Sequence, residues 1–187
     1  SALKQQLTYR RNSDGQFSLR QVTVLAGDYN QEKTARVYNL KPDSKTIRSV
    51  TDFFYAGGKT ADRADEDDAL TSQVTYRWAI DTAKKNALSF NAVNHEVITQ
   101  GQKASLQQIS LFAGSVGFER IVRQFNFNSQ SQIKGRTDFY YEGANHSLVS
   151  GDKAQDESAL KQQLTYRRGT DGQFSLRQVT VLAGDYN

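Results

Sequence analysis

Residues 1–30 read SALKQQLTYRRNSDGQFSLRQVTVLAGDYN, and residues 158–187 repeat them, offset by 157 positions, with changes only at Asn12/Gly169 and Ser13/Thr170. A repeat this close constrains the fold more than any other feature. A supersecondary unit that recurs along a chain buries its apolar face against its neighbours and not alone. Both changes fall in one short stretch, Asn12-Ser13-Asp14-Gly15, between runs rich in Thr, Val, Tyr and Leu. Asp-Gly between such runs signals a hairpin, because Gly supplies the positive φ of a tight turn at no steric cost. The repeated segment is therefore predicted to be a whole β-hairpin, strands Leu3–Arg11 and Phe17–Leu25, whose turn varies only at permissive positions.

A more diverged repeat lies inside that period. The stretch Ile47–Gly57 (IRSVTDFFYAG) matches Ile133–Gly143 (IKGRTDFYYEG), and Ala64–Trp78 matches Ala154–Arg168. Upstream, Ala26-Gly27 aligns with Ala113-Gly114. The matches stay in order across several segments, so the period contains two half-repeats, about 31–110 and 111–187, within a single domain spanning 1–187.

Strict alternation sets the element type. Leu70, Ser72, Val74, Tyr76 and Trp78 alternate with Thr71, Gln73, Thr75 and Arg77, the period of two that marks a strand with one face toward a core. Ile47–Tyr55 and Ala87–Ile98 behave alike and are rich in strand-favouring residues. Pro42 falls between strands. The expectation is an all-β protein, an antiparallel meander of about ten strands forming a barrel or a sandwich. Two half-units facing each other across a pseudo-twofold axis are one way to bury both aromatic faces. Two identical hairpins that compete for one slot force the second into an enlarged sheet or onto a neighbouring molecule.

Composition narrows the function classes. Mean hydropathy is −0.69, yet 9 Tyr and 10 Phe supply bulky core material, unlike a disordered chain. The 24 Lys and Arg against 20 Asp and Glu leave a net charge of +4. The arginines are scattered roughly one per strand, which argues against a nucleic-acid patch. With no Cys, disulfides, thiolate metal sites and thiol nucleophiles are excluded. No apolar run is long enough for a membrane helix, and no signal-peptide pattern is present. A start at Ser1 without Met fits a processed product or an excised piece. An outer-membrane barrel demands strands with a continuous apolar face. Leu3-Gln5-Leu7-Tyr9-Arg11 and Phe17-Leu19-Gln21-Thr23 are interrupted by Gln and Arg, so a membrane barrel ranks behind a sheet in water.

Chemistry is sparse. His95 and His146 stand apart from any triad order or metal-ligand spacing. The loop carrying Asp62, Asp65, Glu66, Asp67 and Asp68 is the candidate metal site, through oxygen ligands to calcium, but it lacks EF-hand spacing. Asp52 and Asp138 each precede an aromatic triplet. Paired carboxylates do glycoside chemistry at suitable spacing, whereas residues retained in both halves of a duplicated fold are more commonly structural, capping a turn or pairing with an Arg. No catalytic set is assigned, and no cofactor is expected apart from possible calcium. Phe53, Phe54, Tyr55, Phe139, Tyr140 and Tyr141 are the candidate ligand-binding aromatics, suited to an apolar or carbohydrate ligand. The expected function is a non-catalytic structural or adhesive module of a repetitive secreted or cell-surface protein. It acts through display or self-association at sheet edges, with neighbouring repeats or a surface carbohydrate as partner. The rivals are a ligand-binding barrel and an outer-membrane barrel with a duplicated hairpin.

Overall fold

Thirteen strands carry nearly all the regular structure in the computed structural model, which describes residues 2–42, 46–79, 88–91, 96–99 and 102–183. They are β1 (Gln5–Arg11), β2 (Phe17–Ala26), β3 (Lys33–Leu40), β4 (Ile47–Tyr55), β5 (Leu70–Ala79), β6 (Leu88–Asn91), β7 (Glu96–Thr99), β8 (Gln102–Ala113), β9 (Arg120–Phe127), β10 (Ile133–Glu142), β11 (Leu148–Ser150), β12 (Leu160–Arg168) and β13 (Phe174–Val181). Eleven form one antiparallel sheet in the order β1-β2-β3-β4-β5-β8-β9-β10-β12-β13, with β11 added along β10. The chain is all-β and a meander, as expected. The sheet does not close into a barrel: β1 and β13 are its edges. The two halves lie side by side in this sheet. The single strand expected over 87–98 is two, β6 and β7, paired with each other as a separate hairpin between β5 and β8.

Pairing register shows that the sheet is a repeated cycle of four strands. Strands β2, β8 and β13 hold one place in the cycle, β3 and β9 the next, β4 and β10 the third, and β1, β5 and β12 the last. Thr8 pairs with Gln21, Thr75 with Gln108 and Thr165 with Gln178, and a register shift follows the Thr each time. Arg36 faces Asp52, and Arg123 faces Asp138. Thr51 pairs with Thr75 and Thr137 with Thr165, their hydroxyls 2.9 and 3.3 Å apart. Both copies of the terminal hairpin keep the same register, and both turns close through equivalent backbone bonds (Gly15 N to Asn12 O, Gly172 N to Gly169 O, each 3.1 Å). The copies occupy different places in one enlarged sheet. The first pairs through β2 with β3, and the second through β12 with β10.

The bulges decide which residues make the core. In β2 the register passes from Thr8↔Gln21 to Tyr9↔Leu19, so Arg20 is an extra residue. That extra residue places Leu19 on the face of Val22 and Val24, which simple alternation cannot do. In β4 the exposed Arg48 is skipped in the same way, bringing Ile47 beside Val50. Leu19, Val22, Tyr38, Leu40, Ile47 and Val50 form one buried cluster, with Leu7, Val24, Tyr76 and Trp78 packed against it. Tyr38 on β3 and Trp78 on β5 meet edge-to-face at 6.1 Å, spanning the intervening β4, where Val50 is fully buried.

The turn from the first to the second strand of each cycle needs glycine. Gly27 and Gly114 have φ of +115° and +123°. A Cβ there meets the carbonyl oxygen of Gln31 at 2.7 Å and that of Phe118 at 2.4 Å. Gly114→Ala is expected to lower the unfolding free energy by about 1–3 kcal/mol, the range for an L-residue forced into such a conformation. Urea unfolding at constant m-value measures it, and an unchanged midpoint refutes the turn constraint.

Candidate functional site

The buried carboxylates organise the most polar part of the sheet. Asp52, on β4, accepts from Arg36 Nε at 2.6 Å and from the Lys103 ammonium, which reaches over from β8. Those two cations each keep over a third of their side-chain surface exposed, against 10% for the carboxylate. Arg36 also donates to the Tyr38 hydroxyl, and Lys103 lies 4.9 Å above the Tyr76 ring. Burial works against the Arg36 charge, yet the hydrogen bonds it donates to Asp52 and Tyr38 prevail and hold its pKa above the ordinary value. Beside this cluster is a cleft of 430 Å³ whose lining includes Asp52, Tyr38, Phe53, Phe54, Ala61 and Asp62.

The second half builds the same ion pair with a different neighbour. Asp138 accepts from Arg123, the counterpart of Arg36. The second cation is Arg136, which occupies the place of Val50. Its Nε lies 3.2 Å from Asp138, an ion-pair distance without an aligned hydrogen bond. Its guanidinium lies against two rings, Tyr166 at 4.7 Å and Phe174 at 5.1 Å.

The six candidate aromatics do not converge. Their strands, β4 and β10, are four steps apart, about 19 Å along the sheet. Phe53 and Phe54 border the cleft, while Phe139 is buried and Tyr140 half-buried in β10. Tyr55 and Tyr141 are tethers: their hydroxyls donate to the carbonyls of Thr34 (2.8 Å) and Ile121 (3.0 Å) at equivalent positions. Burial, aided by the Glu119 charge, pushes the Tyr55 pKa up to about 12, and burial raises Tyr141 likewise. The same strand separation parts Asp52 from Asp138, beyond the 5–10 Å that glycoside chemistry requires.

The acidic loop is folded about a lysine. Lys59 Nζ donates to Asp65 at 2.8 Å and Asp68 at 2.7 Å, and Lys33 Nζ donates to the carbonyls of Glu66 and Asp68. The carboxylates of Asp62, Glu66 and Asp67 are not among those that Lys59 holds, and Glu66 accepts instead from Gln31 Nε2 at 3.0 Å. Among the described residues no group of three or more His, Cys, Asp or Glu side chains gathers as a metal site. His95 lies outside the described residues. His146 is exposed beside Glu142, at the edge of an open 650 Å³ depression between residues 142–146 and 155–159. That depression is larger than the cleft at Asp52 but has no buried charge in its lining.

Sequence reasoning singled out Asp52 and Asp138 and missed their cations. Arg36 and Arg123 were accessible through the half-repeat alignment. Lys103 was not, because its reach across β5 depends on the register shift between Tyr76 and Trp78. Glu32 and Glu119 were also missed. Each accepts from a backbone N–H at or just before the start of a strand, Leu3 ahead of β1 at 2.7 Å and Leu70 of β5 at 3.1 Å, stapling one cycle to the next.

Two measurements test this reading. Asp52→Ala leaves two cations facing each other and is expected to cost about 2 kcal/mol, less than the 3–5 kcal/mol of a fully buried pair because Arg36 and Lys103 remain partly hydrated. Stability within experimental error of the parent refutes a structural role for the carboxylate. In the loop, the hydrogen bond from Lys59 holds the Asp68 pKa below its ordinary 3.8. A depressed carboxylate contributes above its unfolded pKa and stops contributing as pH falls through the folded one. The Asp65 amide, which donates to Asp68 at 2.7 Å, is expected to shift in NMR with a midpoint below 3.8, and a midpoint above it refutes the clamp.

No protein-family model matches the chain, and no curated protein is detectably similar to it. One similar solved structure is a protein of unknown function from Bacteroides fragilis, 8% identical over 95% of this chain and 93% of that one, with a TM-score of 0.27. At that score the likeness supports no inference about this chain.

Proposed function

We propose that this chain is an extendable, non-catalytic β module of a repetitive secreted or cell-surface protein, whose work is to hold binding surfaces at fixed spacing. The observation that carries the reading is the four-strand cycle, which recurs with the same registers, the same Arg–Asp pair and the same Tyr and Glu tethers. A cycle whose last strand type pairs with the first type of the next, as β5 does with β8 and β12 with β13, has no intrinsic stop, so period can follow period in one sheet. Each period then displays a cleft bordered by aromatic and charged groups, and avidity grows with copy number. The cleft-lining residues include no imidazole or thiol, which suits binding better than nucleophilic chemistry.

The direct test is a tandem chain in which residues 31–187 follow residue 187. The expected product is a longer rigid particle, extended by about 38 Å for eight strands at sheet spacing, with one cooperative unfolding transition at higher temperature than the parent. Small-angle scattering and calorimetry read both. Two independent transitions joined by a flexible linker overturn the reading.

A further inference from the structure

One sequence, placed twice in this sheet, has two different surroundings. In β2, Leu19 is 7% exposed and Val22 1%; in β13 their counterparts Leu176 and Val179 are 50% and 49% exposed. Val181, the counterpart of half-buried Val24, is 75% exposed. Local sequence is the same and the hairpin register is the same, so the difference is the missing neighbour. What covers β2 is known: β3 pairs along it, and Tyr38, Leu40, Ile47 and Val50 from β3 and β4 pack over its apolar face. An edge strand with open backbone groups and an uncovered apolar row is a template for strand addition.

We infer that β13 is an acceptor edge for the β3–β4 hairpin of a second copy of this chain. The register is dictated by the β2–β3 pairing. Val22↔Tyr38 becomes Val179 with Tyr38 of the second copy, and Val24↔Arg36 becomes Val181 with its Arg36. In that register Glu32 of the second copy arrives opposite Leu160, the equivalent of Leu3 and Leu70, whose N–H groups the paired glutamates already accept. The incoming hairpin cannot distinguish the two acceptors by sequence, because β2 and β13 are identical from Phe17 to Ala26 and from Phe174 to Ala183. Its own β2 is preferred only by proximity, an effective concentration of about 1 mM for a short connection. Exchange between molecules therefore sets in as the protein approaches that concentration, as it does for chains crowded on a surface. A direct β13-to-β1 contact does not serve equally well. The free side of β1 corresponds to the side of β5 and β12 that pairs with β4 and β10, so one β3–β4 hairpin is what separates the two edges.

This inference rests on the repeating-cycle reading, and its test separates the two. The full chain is followed by sedimentation velocity from about 10 µM to about 1 mM, alongside Val179→Lys, which alters an exposed position and is checked for the parent's circular dichroism. In parallel, a fluorescent synthetic peptide of residues 31–55 is titrated into both proteins. Expected are concentration-dependent oligomers of the parent, monomers of the variant, and peptide binding at least tenfold weaker to the variant. Peptide binding without self-association of the parent overturns the second-copy inference and leaves the tandem reading standing. Self-association, or peptide binding, that Val179→Lys leaves unchanged overturns the acceptor edge itself.

Discussion

A strand slipped by one residue turns its whole apolar set to the opposite face, so the pairing of Thr8 with Gln21 and its equivalents at Thr75 and Thr165 is what the rest of the sheet hangs on. The shift that follows each of these threonines is a built-in bulge. It delivers Leu19 to the side of Val22 and leaves Arg20 as the extra residue. Register then passes from strand to strand. Val22 faces Tyr38, Tyr38 faces Val50, and Val50 faces Tyr76, a continuous line across four strands that includes the most buried side chain of the described residues. Side-chain tethers reinforce it at one end of the sheet, through the Tyr55 and Tyr141 hydroxyls and the Glu32 and Glu119 carboxylates.

With register fixed, the two halves were free to diverge in what fills each place. The clearest case is Val50 against Arg136. A fully buried valine in one cycle is an arginine in the other, at the same pairing position. The arginine finds partners in the sheet: Tyr166 and Asp138, the counterparts of Tyr76 and Asp52, offer a ring face and a charge, and Phe174, where the first half has Ala104, adds a second ring. Asp52 lacks that neighbouring arginine and takes its second cation from Lys103 instead. Both carboxylates thus end between two cations by different routes, which is the pattern of a structural requirement met twice. The polar cluster holds the sheet face together where the apolar row gives out.

Alternation exposed the strands but not the bulges. The row Phe17-Leu19-Gln21-Thr23 looks like one face of a strand and is not, since Leu19 belongs with Val22 while Gln21 and Thr23 point the other way. Leu70 likewise sits opposite Tyr55, off the face of Val74 and Tyr76, because the register shifts between Phe54 and Tyr55. A test for lipid-facing strands built on simple alternation therefore samples mixed faces, and no periodicity argument recovers the true ones. Repetition was the more dependable guide. It located the equivalent Asp, Tyr and Gly positions and put Arg36 and Arg123 within reach of alignment, whereas Lys103 depended on cross-strand register and stayed hidden. Whether the meander closes depends on what the terminal hairpins meet, which composition does not encode.

The openness of the sheet follows from the same repetition. A barrel closes when its last strand finds the free edge of its first. Here the last strand is of the type that pairs with β3, and β3 is already occupied by β2, a strand of identical sequence. The first hairpin therefore blocks closure by filling the place that β13 needs. Removing residues 1–30 leaves β3 and β13 as complementary edges of a single period, free to meet within one eight-stranded ring or between successive molecules. The duplicated hairpin is in this sense what keeps the sheet open: one copy caps the beginning of the cycle, and the other presents its end uncapped. The exposed row of Leu176, Val179 and Val181 is then a consequence of register and repetition acting together, because any strand that covered it would have to be the one the first copy already holds.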